Sequence, residues 1–107
     1  RTGAVYLAGY GVECILKALI IESAPKNSRD SMLNSFRGAR AHDFEWLRTQ
    51  YLINGGAKFP LLITKAFLLT SDWSTDLRYN PLEMNAAVAD EFLKAAEIII
   101  KWAKERI

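Results

Sequence analysis

Apolar residues recur along this chain with the spacing of α-helices. Between residues 2 and 23 they return every three or four positions, which gathers four aliphatic side chains on one helix face: Val5, Val12, Leu16 and Leu19. Thr2 is a residue type that caps helix N-termini, and Pro25 stands where a helix does not continue. We therefore expect a first helix that runs from Thr2 to Ser23.

Three further helices are predicted from the same period and from their end signals. The second covers His42–Ile53 and is stopped by Gly55 and Gly56, and the third covers Pro60–Thr70. The last covers Glu83–Arg106, and its inner face is apolar: Val88, Phe92, Ala96, Ile99 and Ala103. The outer face of that helix is charged: Asp90, Lys94, Glu97, Lys101 and Lys104.

The stretches between the helices are polar or irregular. Residues 24–41 form a long connection rich in lysine and arginine, with one short helical turn expected around Met32, Leu33 and Phe36. Residues 71–81 are predicted to be irregular, because Asn80 precedes a proline and is pushed away from helical geometry. No stretch alternates with the period of two that marks a β-strand. The sequence therefore predicts an all-α fold, an up-and-down bundle of four to five helices that forms a single domain over residues 1–107.

Composition narrows the classes of function. Half of the 107 residues are hydrophobic, which is enough to bury a core without disulfides or a structural metal. Cys14 is the only cysteine and cannot form an internal disulfide, which is typical of a reducing compartment and predicts a cytoplasmic protein. With one histidine and one cysteine, a zinc site is nearly excluded, and we expect no metal or cofactor. A net charge of +2 does not by itself indicate nucleic-acid binding, although it leaves room for a local basic patch.

The segment Ala4–Ile21 is long and apolar enough to raise the question of a membrane span. It carries Glu13 and Lys17 near its middle, and two ionisable groups at the centre of a minimum-length span are costly. A buried core helix is the simpler interpretation, so we expect a soluble domain without membrane contact.

One stripe of the first helix is polar and aromatic in an otherwise apolar segment. It consists of Tyr6, Tyr10, Glu13 and Lys17, which follow one another at helical spacing. Glu13 precedes Lys17 by one turn, the better orientation for an ion pair within a helix. Two interpretations stay open for this pair: a structural ion pair at a helix crossing, or a pair that orients another group or touches a phosphate or a base.

Two further sets of residues carry candidate chemistry. Arg37 and His42, with four residues between them, are able in principle to stabilise a phosphorane and to activate a ribose hydroxyl. A lone histidine at a helix start is, however, more often a cap or a packed side chain. Arg78 and Tyr79 stand side by side in the predicted loop, where they would clamp a phosphate and stack a base. They would equally serve to anchor the loop, with Arg78 pairing Glu13 or a helix C-terminus.

Four segments of the sequence together resemble the HEPN family, a group of small helical-bundle domains. They are AVYLAGYGVECILKALI in the first helix, His42-Asp43-Phe44, WSTDLRYNP, and EFLKAAEIIIKW in the last helix. The resemblance extends from residue 3 to about residue 103. Its most specific part is the spacing of Glu13, Cys14 and Lys17 in the first helix.

The resemblance implies one of two activities. Some members are metal-independent ribonucleases of toxin–antitoxin or defence systems, with an arginine and a histidine four to six residues on, just before the last helix. This chain has Arg78 and Tyr79 in that region but no histidine after it, whereas Arg37 and His42 lie two helices earlier. Other members bind nucleotides or RNA, often beside a nucleotidyltransferase partner. The sequence therefore favours a nucleotide- or RNA-binding accessory module whose binding residues are Tyr10, Glu13, Lys17, Arg78 and Tyr79.

Two alternatives stay open: a ribonuclease in which His42 moves the proton with Arg37 or Arg78 as its cation, and a pure dimerisation or interaction module. Family members also carry a helix before the segment that begins here at Ala4, so a preceding region or a partner chain is expected to complete the bundle. This requirement, together with the apolar fraction, predicts a homodimer that uses a face of the first or the last helix.

Overall fold

The computed structural model describes residues 2–72 and 85–107, and within these ranges the chain forms five α-helices and no strand. Two short 3₁₀ turns, Lys26–Ser28 and Ala39–His42, flank the second helix. The helices are α1 (Thr2–Ser23), α2 (Arg29–Ser35), α3 (Phe44–Ile53), α4 (Leu61–Asp72) and α5 (Ala86–Lys104). The predicted all-α bundle is confirmed, and α1 has the bounds that the sequence predicts.

The core forms because α1 packs against both α3 and α5, while α4 packs against α5. The aliphatic face predicted on α1 is fully buried, as are the predicted inner residues of α3: Phe44, Leu47 and Tyr51. A cluster of aromatic rings joins α4 to α5. Phe59, in the loop before α4, is in edge contact with Phe67 of α4 and with Trp102 of α5. Rings of this size bury large apolar areas, so the cluster ties the loop before α4 to the last helix.

By length and composition alone, α1 is apolar enough to cross a membrane. The core helix of a soluble protein and a signal sequence near the N-terminus both pass the same test. In this fold, one face of α1 is buried against α3 and α5, and Glu13 and Lys17 form an ion pair near its middle.

The polar connection before α3 contains more helix than the sequence predicts. In place of one short turn, residues Arg29–Ser35 form the complete helix α2. The side chain of Arg29 holds this helix against the end of α1, because its guanidinium donates hydrogen bonds to the carbonyl oxygens of Glu22 and Ala24. Hydrogen bonds of this kind satisfy carbonyls that the last turn of a helix leaves unpaired.

Helix α3 begins at Phe44, so the predicted start at His42 is wrong. Asp43 is the N-cap, since its Oδ1 accepts a hydrogen bond from the backbone N–H of Glu45 at 2.9 Å. His42 instead closes the 3₁₀ turn before the cap. The predicted stop is confirmed, because α3 ends at Ile53 and Gly55 adopts a positive φ of 93°.

The ends of the last two helices also differ from prediction. The carbonyl oxygen of Pro60 accepts the first hydrogen bond of α4, from the N–H of Thr64, but Pro60 lies outside the helix, and α4 continues to Asp72 instead of ending at Thr70. Asn85 has an extended backbone and caps α5, which begins at Ala86 and ends at Lys104 instead of Arg106, and the predicted start at Glu83 lies outside the described residues. Along α5 the predicted inner face is buried except for Val88, which is 41% exposed in the first turn. The predicted charged outer face is exposed.

Candidate functional site

The most unusual group in the described part of the chain is the carboxylate of Glu13, which lies in the middle of α1. Its side chain is only 5% exposed, although the residue is charged. One oxygen, Oε2, accepts a hydrogen bond from Lys17 Nζ at 2.9 Å and lies 3.0 Å from Nδ1 of His42. Burying a carboxylate is costly unless donors surround it, and these two contacts, both to Oε2, supply part of that compensation.

The fold brings Glu13, Lys17 and His42 together from two separate parts of the chain. Glu13 and Lys17 are one turn apart on α1 and so share a face. His42 comes from a position 29 residues away, at the end of the 3₁₀ turn that connects α2 to α3. Gly38 begins this turn with a positive φ of 75°, a conformation that glycine adopts without strain. The cap at Asp43 then fixes the chain immediately after His42.

The contact with Glu13 engages one nitrogen of the imidazole and leaves the other available. When Nδ1 carries the proton and donates it to the carboxylate, Nε2 is the basic nitrogen of the ring. The His42 side chain is 46% exposed and that of Lys17 is 24% exposed, so both are accessible from solvent while the carboxylate is not. A buried acid that orients a half-exposed histidine is an arrangement suited either to anion binding or to proton transfer.

An aromatic and cationic surface continues from Lys17 toward α3. The Lys17 ammonium lies 5.7 Å from the centroid of the Phe36 ring, which meets Trp46 edge to face at 6.2 Å. The guanidinium of Arg40 lies 5.0 Å from the Trp46 ring and donates a hydrogen bond to the carbonyl of Ser35. We refer to Lys17, Phe36, Arg40, His42 and Trp46 together as the basic–aromatic patch.

The structure brings only some of the predicted site residues together. Glu13, Lys17 and His42 form the cluster described above. Tyr10 lies one turn before Glu13 on α1 and is exposed, and Arg37 is exposed in the connection that leads to His42. The predicted contribution of Arg78 and Tyr79 lies outside the described residues.

Sequence reasoning did not find Phe36, Arg40 and Trp46 as parts of this surface. Arg40 and Trp46 are six residues apart, across the junction of a 3₁₀ turn with α3, and no regular period connects such positions. The only signal was the run of cations in residues 24–41. Such a run indicates a charged surface but not which cation stacks on which ring.

Within residues 2–72 and 85–107, no group of three or more histidine, cysteine, aspartate or glutamate residues is arranged to hold a metal ion. Lys17, one turn away on α1, and the distant His42 both contact the carboxylate of Glu13 through Oε2. Neither family models, nor curated proteins, nor solved structures gave a match to this chain. A functional assignment for this chain therefore rests on the chemistry of the basic–aromatic patch.

Proposed function

We propose that the chain is a HEPN-like accessory module that binds nucleotides or RNA through the basic–aromatic patch. The observation that supports this proposal best is that buried Glu13 holds Lys17 and His42 at the surface, next to Arg40 on the ring of Trp46. A site that binds a nucleotide or RNA combines cations, which contact phosphate, with aromatic rings, on which bases stack.

The charge of the patch favours an anionic ligand. Lys17 and Arg40 are cations, and exposed Arg37 adds a third in the same connection. Glu13 offsets part of this charge, but its carboxylate is buried and does not face the ligand. A phosphate group that approaches the patch therefore meets the donors of Lys17 and Arg40, and not the buried carboxylate of Glu13.

The aromatic part favours a ligand that carries a base. Trp46 is half-buried, which fixes its ring, and Arg40 covers that ring at 5.0 Å. Unpaired bases stack on aromatic rings and on guanidinium planes, so a single-stranded RNA or a nucleotide is the better ligand class than a duplex.

Ribonuclease activity is the second candidate function, and the His42–Glu13 contact is the observation that favours it. In such an enzyme Nε2 of His42 would move a proton at the ribose hydroxyl, and Lys17, Arg37 or Arg40 would stabilise the charge of the phosphorane. Binding is the preferred function, because the chain has no histidine near Arg78, where the resembled nucleases carry theirs.

A third candidate is a module that only dimerises or recruits a partner protein, such as a nucleotidyltransferase. Such a module would show no shift in melting temperature with nucleotides or RNA, whereas a binding module is stabilised by its ligand through mass action. Thermal melts with and without a single-stranded RNA therefore separate this candidate from the other two.

Fluorescence anisotropy with a labelled single-stranded RNA in EDTA tests the proposal directly. We expect Arg40→Gln to weaken binding about tenfold, the loss of one charge-assisted phosphate or stacking contact, and to lower the salt dependence of log K by about 0.7. Arg106→Gln is the matched control, because Arg106 also stacks on a tryptophan, Trp102 at 4.3 Å, but lies just after the end of α5 and outside the basic–aromatic patch. Equal affinity of the two variants would contradict the proposed site, and gel analysis of the same samples reports any cleavage.

A further inference from the structure

The imidazole of His42 is held through one of its two nitrogens. Nδ1 lies 3.0 Å from Oε2 of Glu13, and within residues 2–72 and 85–107 the ring has no other hydrogen-bond partner. The Glu13 side chain is only 5% exposed, whereas 46% of the His42 side chain is exposed. Because Nδ1 is engaged by a buried carboxylate, Nε2 is the nitrogen that remains for a ligand in solvent.

The charges next to the ring cancel when His42 is neutral. Lys17 is a cation and Glu13 an anion, and their charged atoms are 2.9 Å apart. The Lys17 ammonium also lies 5.7 Å from the centroid of the Phe36 ring, whose π electrons take up part of its field. With a neutral His42, the three side chains of the cluster therefore carry no net charge. Protonation of His42 gives them one net positive charge, which attracts a phosphate.

The other charged groups of this turn and of α3, which packs against it, leave that balance in place. On α3, the guanidinium of Arg48 and the carboxylate of Glu45 lie 3.7 Å apart. Asp43 is engaged as the cap of α3, and Arg40 lies on the ring of Trp46. These four groups are two cations and two anions, so their charges also cancel. The protonation state of His42 therefore decides whether the end of the patch formed by Lys17 and His42 attracts an anion.

The two forms of the ring offer a phosphate different groups. A neutral ring that donates Nδ1–H to Glu13 has a lone pair on Nε2, and this lone pair repels a phosphate oxygen. A protonated ring has two N–H groups, so one stays with Glu13 while the other donates to the phosphate. Histidine is the side chain whose charge ordinarily changes between about pH 5 and pH 8. A phosphate at Nε2 is therefore bound together with a proton.

We infer that RNA binding at the basic–aromatic patch is coupled to the uptake of one proton by His42. The chain then binds RNA more tightly in mildly acidic solution than in mildly alkaline solution. This inference rests on the proposed function and adds regulation by pH to it. The coupling acts through the contact with Glu13, because that carboxylate holds Nδ1 and cancels the charge of Lys17, which leaves the attraction of an anion to the second nitrogen.

The sign of the coupling is fixed by which form of the ring the ligand prefers. RNA that contacts protonated His42 is bound more tightly below the pH at which this residue loses its proton, and less tightly above it. Coupling between two binding events is reciprocal, so bound RNA must raise the pH midpoint of the His42 titration. A tenfold preference for the protonated form corresponds to a rise of about one pH unit.

Fluorescence anisotropy at two pH values tests the affinity side of this coupling. The probe is a 3′-labelled single-stranded oligouridylate with a 5′-hydroxyl end, because neither its phosphodiesters nor uracil change charge in this range. At constant ionic strength, the wild type should bind about tenfold more tightly at about pH 5.5 than at about pH 8, the effect of one charge-assisted contact. In His42→Gln the two affinities should agree within about twofold.

Arg40→Gln is the matched control for this experiment. Arg40 lies on the ring of Trp46 and keeps its charge throughout the range, so this variant should bind more weakly at both pH values by the same factor. The tenfold ratio between the two pH values should therefore remain. A pH dependence that persists in His42→Gln would assign the proton to another group and overturn the inference.

Nuclear magnetic resonance measures the reciprocal effect on the wild-type chain and needs no variant. His42 is the only histidine of the sequence, so the imidazole proton between its two nitrogens identifies itself. Saturation with the oligouridylate should raise the midpoint of its titration by about one pH unit. An unmoved midpoint with equal RNA affinity at both pH values would overturn the coupling and leave RNA binding intact. Absence of binding at both pH values would overturn the proposed function, and the coupling with it.

Discussion

Nδ1 of His42 lies 3.0 Å from Oε2 of Glu13, the same oxygen that accepts the hydrogen bond of Lys17 at 2.9 Å. One buried carboxylate oxygen thus holds a donor from its own helix and a second from a turn 29 residues away. The contact joins the turn before α3 to α1, while the cap at Asp43 fixes the chain that carries Arg40 and Trp46. The placement of both Lys17 and His42 therefore depends on the same atom.

Replacement of Glu13 by alanine should destabilise the fold. The change leaves a cavity in α1 and removes the acceptor of Lys17 and His42, but both of these side chains reach solvent. Their partial exposure reduces the cost below the 3–5 kcal/mol of a fully buried pair, to about 2–3 kcal/mol. Urea denaturation measures this free energy. Glu22→Ala, which removes an exposed glutamate from the same helix, should change it by less than about 0.5 kcal/mol.

His42→Ala separates binding from catalysis. If the chain binds RNA, this variant should keep the wild-type affinity within about threefold, because Arg40 and Lys17 supply the stronger phosphate contacts. Labelled RNA should then be recovered intact from both proteins in EDTA. Cleavage by the wild type that persists in EDTA and disappears in His42→Ala would instead establish the ribonuclease candidate.

Helix bounds and core faces could largely be predicted from the sequence, since they depend on local signals. The period of apolar residues and the proline after Ser23 define α1, and glycines after Ile53 define the end of α3. The capping role of Asp43 is not evident from the sequence, because the 3₁₀ turn that ends at His42 brings helical geometry close to the cap. The exposure of Val88 is also not predictable from the sequence, because periodicity identifies the apolar face of a helix but not which of its residues are covered.

The candidate site was only partly predictable, because its parts are far apart in the chain. The Glu13–Lys17 pair follows from helical spacing, and the structure shows it at 2.9 Å. The contact between Glu13 and His42 depends on how the turn at Gly38 folds back onto α1, which no local pattern determines. The stacking of Arg40 on Trp46 depends on the same turn.

Gly56→Ala should destabilise the chain, although the substitution adds a single methyl group. A β-carbon at this position would collide with the ring of Tyr51, which is buried against Phe59 and Trp102 and has no room to move. Overpacking of this kind costs about 1–3 kcal/mol. Gly3→Ala is the matched control, because a β-carbon there meets no atom within 4 Å. Thermal unfolding should show a lower midpoint for Gly56→Ala only, with Gly3→Ala equal to the wild type or more stable.

Asp43→Ala should weaken RNA binding as well as stability, because the cap of α3 also fixes the chain next to His42 and Arg40. Loss of the hydrogen bond from Glu45 N to Asp43 Oδ1 should cost about 1 kcal/mol of stability. Asn54→Ala is the control at the other end of the same helix, where Nδ2 donates to the Gln50 carbonyl at 2.8 Å. Its loss should cost a similar amount, about 0.5–1.5 kcal/mol, without moving the basic–aromatic patch. Anisotropy titrations with both folded variants should then show weaker binding for Asp43→Ala alone; equal affinities would mean that the cap stabilises α3 without positioning the patch.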